Sequence, residues 1–182
     1  MKKALKVKIC EAISFIAHPV FVFPLLTVVY FKWDQLSSFL AVLGLSFVMP
    51  FLYFLYLYKT KRISDFDVSK RIQRYPLYYA TLIGLMLSII YLYLFSTKEI
   101  FYDFSRLLAI ATLLILFNFK IKVSIHVALI TILCFALVQD FNLSPLIFLT
   151  IPLVVYSRLL LKRHKPLELI LGFGIPALFY IC

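Results

Sequence analysis

Apolar runs about as long as a bilayer is thick recur along this chain, and nothing else constrains its fold as much. A membrane-crossing helix needs about 20 mostly apolar residues to span about 30 Å of hydrocarbon. Seven stretches approach that requirement in turn: Ile9 to Phe31, Leu36 to Tyr58, Pro76 to Phe95, Phe101 to Phe119, Ser124 to Val138, Leu143 to Leu161 and Pro166 to Cys182. The fourth carries Asp103 and Arg106 near one end, and the polar stretch Lys59 to Tyr75 separates the second from the third. The runs lack strict alternation and exceed strand length, so they read as helices rather than barrel strands. Pro19, Pro24, Pro152 and Pro176 fall inside them, where kinks are tolerated. With 64% hydrophobic residues, 15% charged residues and a mean hydropathy of +1.01, the 182-residue chain is too apolar for a water-soluble domain. The expected fold is all-α: a polytopic transmembrane helical bundle of six or seven spans, one domain over residues 1–182. Six applies if the first or fourth run is partial. The basic start, Met1-Lys2-Lys3, looks like a secretory signal, but the apolar run behind it is too long, and the expectation is an uncleaved first span.

Charge is the second constraint. Nineteen Lys and Arg against eight Asp and Glu give +11. In a soluble protein this balance would point to nucleic acid; in a membrane chain it reports orientation, anionic lipid or a phosphate-bearing substrate. With alternating spans, sixteen of the nineteen basic residues share one face, and Lys32, Lys98 and Arg106 occupy the other. The positive-inside rule then makes the crowded face cytoplasmic in a multi-pass cell-membrane protein. Removing Lys70, Arg71, Arg74 and Arg158 from the count leaves the same asymmetry. No nucleic-acid partner is needed to explain the charge. Cys10, Cys134 and Cys182 have neither metal-type spacing nor the pattern of a disulfide framework.

Three clusters stand out where spans meet the crowded face. Lys122-Val123-Ser124-Ile125-His126 opens the fifth span. Ser157-Arg158, then His164 and Glu168, bridge the sixth and seventh. Lys70-Arg71-Ile72-Gln73-Arg74-Tyr75-Pro76 opens the third. Two spans separate each cluster from the next, so all three are expected at one face. The residue types suit a phosphate monoester or anhydride. Arginine presents a planar fork of donors to phosphate oxygens. Ser124 and the N–H groups opening a helix add hydrogen bonds to the same anion. One histidine can attack phosphorus while another protonates the leaving oxygen. Glu168, four residues after His164, is placed to hold that imidazole in one tautomer. Phosphoryl transfer needs little more than positioning and charge stabilisation.

At these residues the chain resembles the type 2 phosphatidic acid phosphatase superfamily, the membrane lipid phosphate phosphatases. The family's third motif is Ser-Arg, five residues, His, three residues, Asp. It is matched by Ser157-Arg158, His164 and Glu168, with Glu in place of Asp. Of the second, Pro-Ser-Gly-His, the chain keeps Ser124 and His126 but has Val123 and Ile125 at the other positions. The first, Lys, six residues, Arg-Pro, is degenerate: Tyr75 separates Arg74 from Pro76, and Asp67 stands seven before Arg74. The resemblance covers roughly Lys70 to Gly172. It implies a metal-independent, cofactor-free hydrolase working through a phosphohistidine, with a lipid phosphate substrate among membrane lipids. In that reading His164 is the nucleophile, Glu168 its orienting acid and His126 the general acid. Arg158, Arg74, Ser124 and Lys70 or Arg71 form the phosphate cradle. Ile125 puts a β-branched side chain where a backbone would approach phosphate, and Glu168 is one methylene longer than Asp. These departures sustain an alternative, a non-catalytic member that binds lipid phosphate or serves as a membrane-complex subunit. Transport lacks paired broken helices or repeat halves. His18, before Pro19 in the first span, has no assigned role, and Asp65 and Asp67 read as loop-solvating or capping residues.

Overall fold

The backbone answers the apolar pattern with helix, because helices satisfy their own hydrogen bonds where no water is at hand. The computed structural model describes residues 2–31, 36–66, 68 and 70–181, without the side chains of Lys2, Lys3 and Asp140. Lys32, Asp67 and Cys182 lie outside the described residues. In chain order the helices are α1 (Lys2–Ile16), α2 (Pro19–Tyr30), α3 (Leu36–Leu43), α4 (Met49–Lys59), α5 (Tyr75–Phe95), α6 (Lys98–Asn118), α7 (Ile125–Phe141), α8 (Thr150–Leu160) and α9 (Pro166–Ile181). A π-helical turn, Gly44–Val48, joins α3 to α4, and 3-10 turns at Arg71–Arg74 and Pro145–Leu149 precede α5 and α8. No strand occurs among the described residues.

Among the described residues three stretches are long and apolar enough to cross a membrane: Leu36–Lys59, Arg71–Phe95 and Lys98–Asn118. Ala4–Ile16 and Pro19–Tyr30, bent by 44°, make a fourth if the pair is one span. The run containing Asp103 and Arg106, the weakest on composition, is thus among the long ones. Its two charges sit one turn apart and pair at 3.9 Å. The apolar helices Ile125–Gln139, Pro145–Leu160 and Pro166–Ile181 are shorter. On length and composition, the described residues hold three or four helices able to span a membrane, against the six or seven expected. The first differs from expectation in kind: α1 starts at Lys2, so the basic start forms its opening turns, and the helix breaks at Ala17-His18 where Pro19 begins a new one. Large apolar side chains on α5, among them Ile83, Met86, Ile90 and Leu94, are more than half exposed. Such a face suits lipid contact and would be a liability in water.

The chain packs as two compact units, one of residues 1–29 and 116–182, the other of residues 30–115. In the second unit the π turn lies against α5 at Gly84, where a β-carbon would collide with the Leu45 carbonyl. Buried Ser46 and Ser88 return their hydroxyls to the Val42 and Gly84 carbonyls, at 2.6 and 2.8 Å. Small residues at this contact let two backbones approach closely. Phe104, fully buried, meets the rings of Tyr30 and Phe31. A separate cluster of Phe54, Leu57, Ile63 and Val68 closes the loop before α5.

In the first unit α7 packs on α8 and α9, and α1 packs on α8. Ala17, Val127, Cys134, Ile151, Val154 and Leu169 form its apolar core. One end of this core is capped by the polar groups described next.

Candidate functional site

Two loops, before α7 and before α9, meet in the first unit. Ser124 is the N-cap of α7, with extended backbone and no side-chain capping bond. Its N–H donates to the Glu168 carbonyl (3.0 Å) and its own carbonyl accepts from Ala128 (3.1 Å). A β-carbon on Gly172 would stand 2.7 Å from the Ser124 carbonyl oxygen, so only glycine lets α9 come this close. The Ser124 side chain is fully buried, and among the described residues no group hydrogen-bonds its Oγ. A serine at an N-cap ordinarily spends its hydroxyl on the helix; this one does not. Ile125, the first residue of α7, is half-buried, and His126 behind it is buried.

The end of α8 supplies the cation. Ser157 Oγ donates to the Cys10 carbonyl at 2.9 Å, and Arg158 donates from a terminal nitrogen to Ser14 Oγ at 2.5 Å, both contacts buried against α1. Arg158 is 3% exposed. The chain then reverses through a Schellman turn, with Lys162 N–H on the Leu159 carbonyl and Arg163 N–H on the Arg158 carbonyl. Lys162 takes the left-handed conformation (φ 52°) that glycine usually fills there. This turn sends His164 back over the end of α8, and Lys122 secures it by donating to the Arg163 carbonyl at 3.0 Å.

His164 lies just outside α9, which Pro166 opens at the position where a missing N–H costs nothing. Its Nδ1 is 2.8 Å from Glu168 Oε2. The same oxygen accepts the Lys165 N–H at 3.2 Å, half of a capping box. The extra methylene of Glu168 relative to Asp therefore does not prevent the contact. Burial first, with help from the Arg158 and Lys122 charges, lowers the His164 pKa to about 4 against the opposing pull of Glu168. At neutral pH the ring is uncharged, Nδ1–H donates to the carboxylate, and Nε2 carries the lone pair.

Of the residues singled out from sequence, the first unit holds Ser124, His126, Arg158, His164 and Glu168 at the ends of α7, α8 and α9. Lys70, Arg71 and Arg74 belong to the second unit, in the turn that opens α5. Lys70 is exposed, and Arg74 Nε donates to the Val68 carbonyl at 2.7 Å. Three further residues enter the site without having been assigned to it. Ser14 gave no sequence signal. Lys122 stands in the cluster that opens the fifth span but has no role assigned from sequence. His18 stood out as an intramembrane histidine, but only the fold supplies its neighbour: its ring lies 5.2 Å from that of His126, edge to face at 82°. No three His, Cys, Asp or Glu side chains are grouped to hold a metal among the described residues. An open apolar groove of about 540 Å³ runs between α8 and α9. Its lining includes Leu159 and Pro166, the first adjacent to Arg158 in sequence and the second two residues beyond His164.

No family model matches the sequence, and neither curated proteins nor solved structures yield a match.

Proposed function

We propose that this chain is a multi-pass membrane hydrolase that removes phosphate from a lipid phosphate or prenyl (di)phosphate through a phosphohistidine, as its motif resemblance to the type 2 phosphatidic acid phosphatases implies. One observation carries the reading: a buried His164 has one ring nitrogen committed to Glu168, beside a buried arginine. Nε2 attacks phosphorus and the P–O bond to the lipid breaks. His126, in its protonated form, gives its proton to the departing oxygen. The resulting phosphoimidazolium is stabilised by the Glu168 carboxylate. In the second half-reaction His126 takes a proton from a water whose oxygen attacks phosphorus; the new P–O bond forms as the P–N bond breaks, inorganic phosphate leaves, and the bonding pair returns to Nε2 of a neutral His164. Arg158 and the Ser124 hydroxyl hold the phosphate oxygens in both steps. The groove between α8 and α9 suits the apolar chain of such an amphiphile. The six- or seven-span topology and a site at the cytoplasmic face of the cell membrane complete the proposal, on the charge asymmetry of the loops.

The test is phosphate release by purified protein in vesicles, with chelator present, over a panel of prenyl phosphates, phosphatidic acid and phosphatidylglycerol phosphate. Activity is expected to fall by about 10³-fold or more in His164→Ala and about 10²-fold or more in His126→Ala. Metal-independent release that survives His164→Ala refutes the mechanism. Headgroup binding without turnover in the native chain, lost in Arg158→Ala, would establish the non-catalytic alternative that Ile125 keeps in view.

A further inference from the structure

The break between α1 and α2 delivers side chains to the site from a part of the chain that no motif includes. Pro19 opens α2 and has no N–H, so Val20 is the first donor of that helix. Its N–H reaches His18 Nδ1 at 3.3 Å. With Nδ1 accepting, the neutral His18 ring carries its proton on Nε2. One turn earlier, Ser14 on α1 receives the Arg158 guanidinium. The same corner thus touches both the buried Arg158 and, through the His18 ring, His126. Edge-to-face packing is a preferred arrangement for two rings, and His126 is held in it by a residue that is itself fixed to the backbone.

We infer that His18 is a positioning residue of this site, its ring at the α1–α2 corner setting the plane of the His126 imidazole. The chemical consequence rests on the reading of His126 as the group that protonates the leaving oxygen; the ring contact does not. Without His18 the His126 ring loses this edge-to-face contact, and the orientation it favours has to be recovered each time the leaving oxygen is protonated, so the expected effect is on turnover rather than on binding.

Two substitutions separate the functions of the His18 ring. His18→Asn retains a side-chain acceptor for the Val20 N–H but removes the ring against His126. His18→Phe retains a ring but loses the acceptor. In the vesicle assay, His18→Asn is expected to lower kcat by about tenfold or more with KM within about twofold. His18→Phe is expected to recover most of that loss, even if losing the cap lowers its thermal midpoint. Wild-type kcat in His18→Asn overturns the inference, and so does a His18→Phe rate as low as that of His18→Asn measured well below both midpoints. The chain has three histidines, so ¹³Cε1-histidine labelling in detergent gives three imidazole signals to follow. His18→Asn should remove one signal and shift that of His126 as the neighbouring ring current disappears, whereas His18→Phe should leave a ring-current shift in place. An unmoved His126 signal in His18→Asn overturns the positioning role whatever the enzyme does. A shifted signal in a protein with no hydrolase activity would uphold it while refuting the proposed function.

Discussion

Replacing Gly172 by alanine tests how closely the two halves of the site must approach. The added methyl would lie 2.7 Å from the Ser124 carbonyl oxygen and 3.4 Å from the Ser124 and Val127 β-carbons. The obstruction is backbone, which cannot rotate aside as a flexible side chain would. Reaching ordinary contact requires α9 to retreat by about 0.7 Å, a displacement of the size that costs a reaction up to about 10²-fold when it separates positioned groups. It would also stretch the bond from Ser124 N–H to the Glu168 carbonyl, now 3.0 Å. Overpacking of this kind destabilises by about 1–3 kcal/mol. Gly174, two residues along the same helix, is the control: nothing lies within 4 Å of its would-be β-carbon. Gly174→Ala should therefore be neutral or stabilising by up to about 1 kcal/mol through helix propensity. The assays are metal-free phosphate release and the thermal midpoint in one detergent. Gly172→Ala is expected to lose about 10- to 100-fold in rate and to melt lower. If it matches Gly174→Ala in both readouts, the α7–α9 contact does not set the geometry of the site, and the reasoning from close approach fails.

Ser124→Ala should separate stability from activity. The buried hydroxyl hydrogen-bonds nothing in the described residues, so its loss leaves the thermal midpoint unchanged or raised, while phosphate release falls about tenfold or more. Lys162→Gly relieves a left-handed non-glycine residue at the Schellman turn and should stabilise the protein by about 1 kcal/mol, read from chemical unfolding. His164 links stability to pH. Its folded pKa of about 4 lies below its ordinary value of 6.5, so between these values the unfolded chain binds a proton that the folded chain does not. Its contribution to stability is whole above pH 6.5 and is lost as pH falls through about 4. Replacing His164 by Gln should flatten that part of the stability–pH curve; a curve unchanged by the substitution would show that other groups produce it.

Hydropathy alone located the long helices, because crossing a bilayer demands a length and an apolarity that are written locally. Asp103 and Arg106 weakened one such assignment only because a composition window cannot see two charges paired one turn apart. The break at His18 had its local cause in plain view, Pro19, but proline is tolerated within membrane helices and the sequence does not say which prolines end one. Division into two packed units depends on contacts between residues far apart in the chain, and no periodicity reports it. The same holds within the site. Motif spacing marked His164 and Glu168, whose contact is short-range, whereas Ser14 reaches Arg158 across most of the chain. Gly172 had no signal of its own, since its meaning lies in Ser124 on another helix. The chain has four glycines, and none has positive φ; the left-handed turns instead use Lys61, Asn142 and Lys162, with Val68 in the loop before α5.

Glu168 Oε2 binds both the Lys165 N–H that starts α9 and the His164 ring. The imidazole is therefore oriented by the same first turn that nucleates the last helix, among residues at most four apart. No long-range closure is required for this part of the site: once the terminal helix has begun, His164 already has its partner. A histidine oriented this way carries its preorganisation in local chain structure, and its orientation should persist through motions that move the surrounding helices.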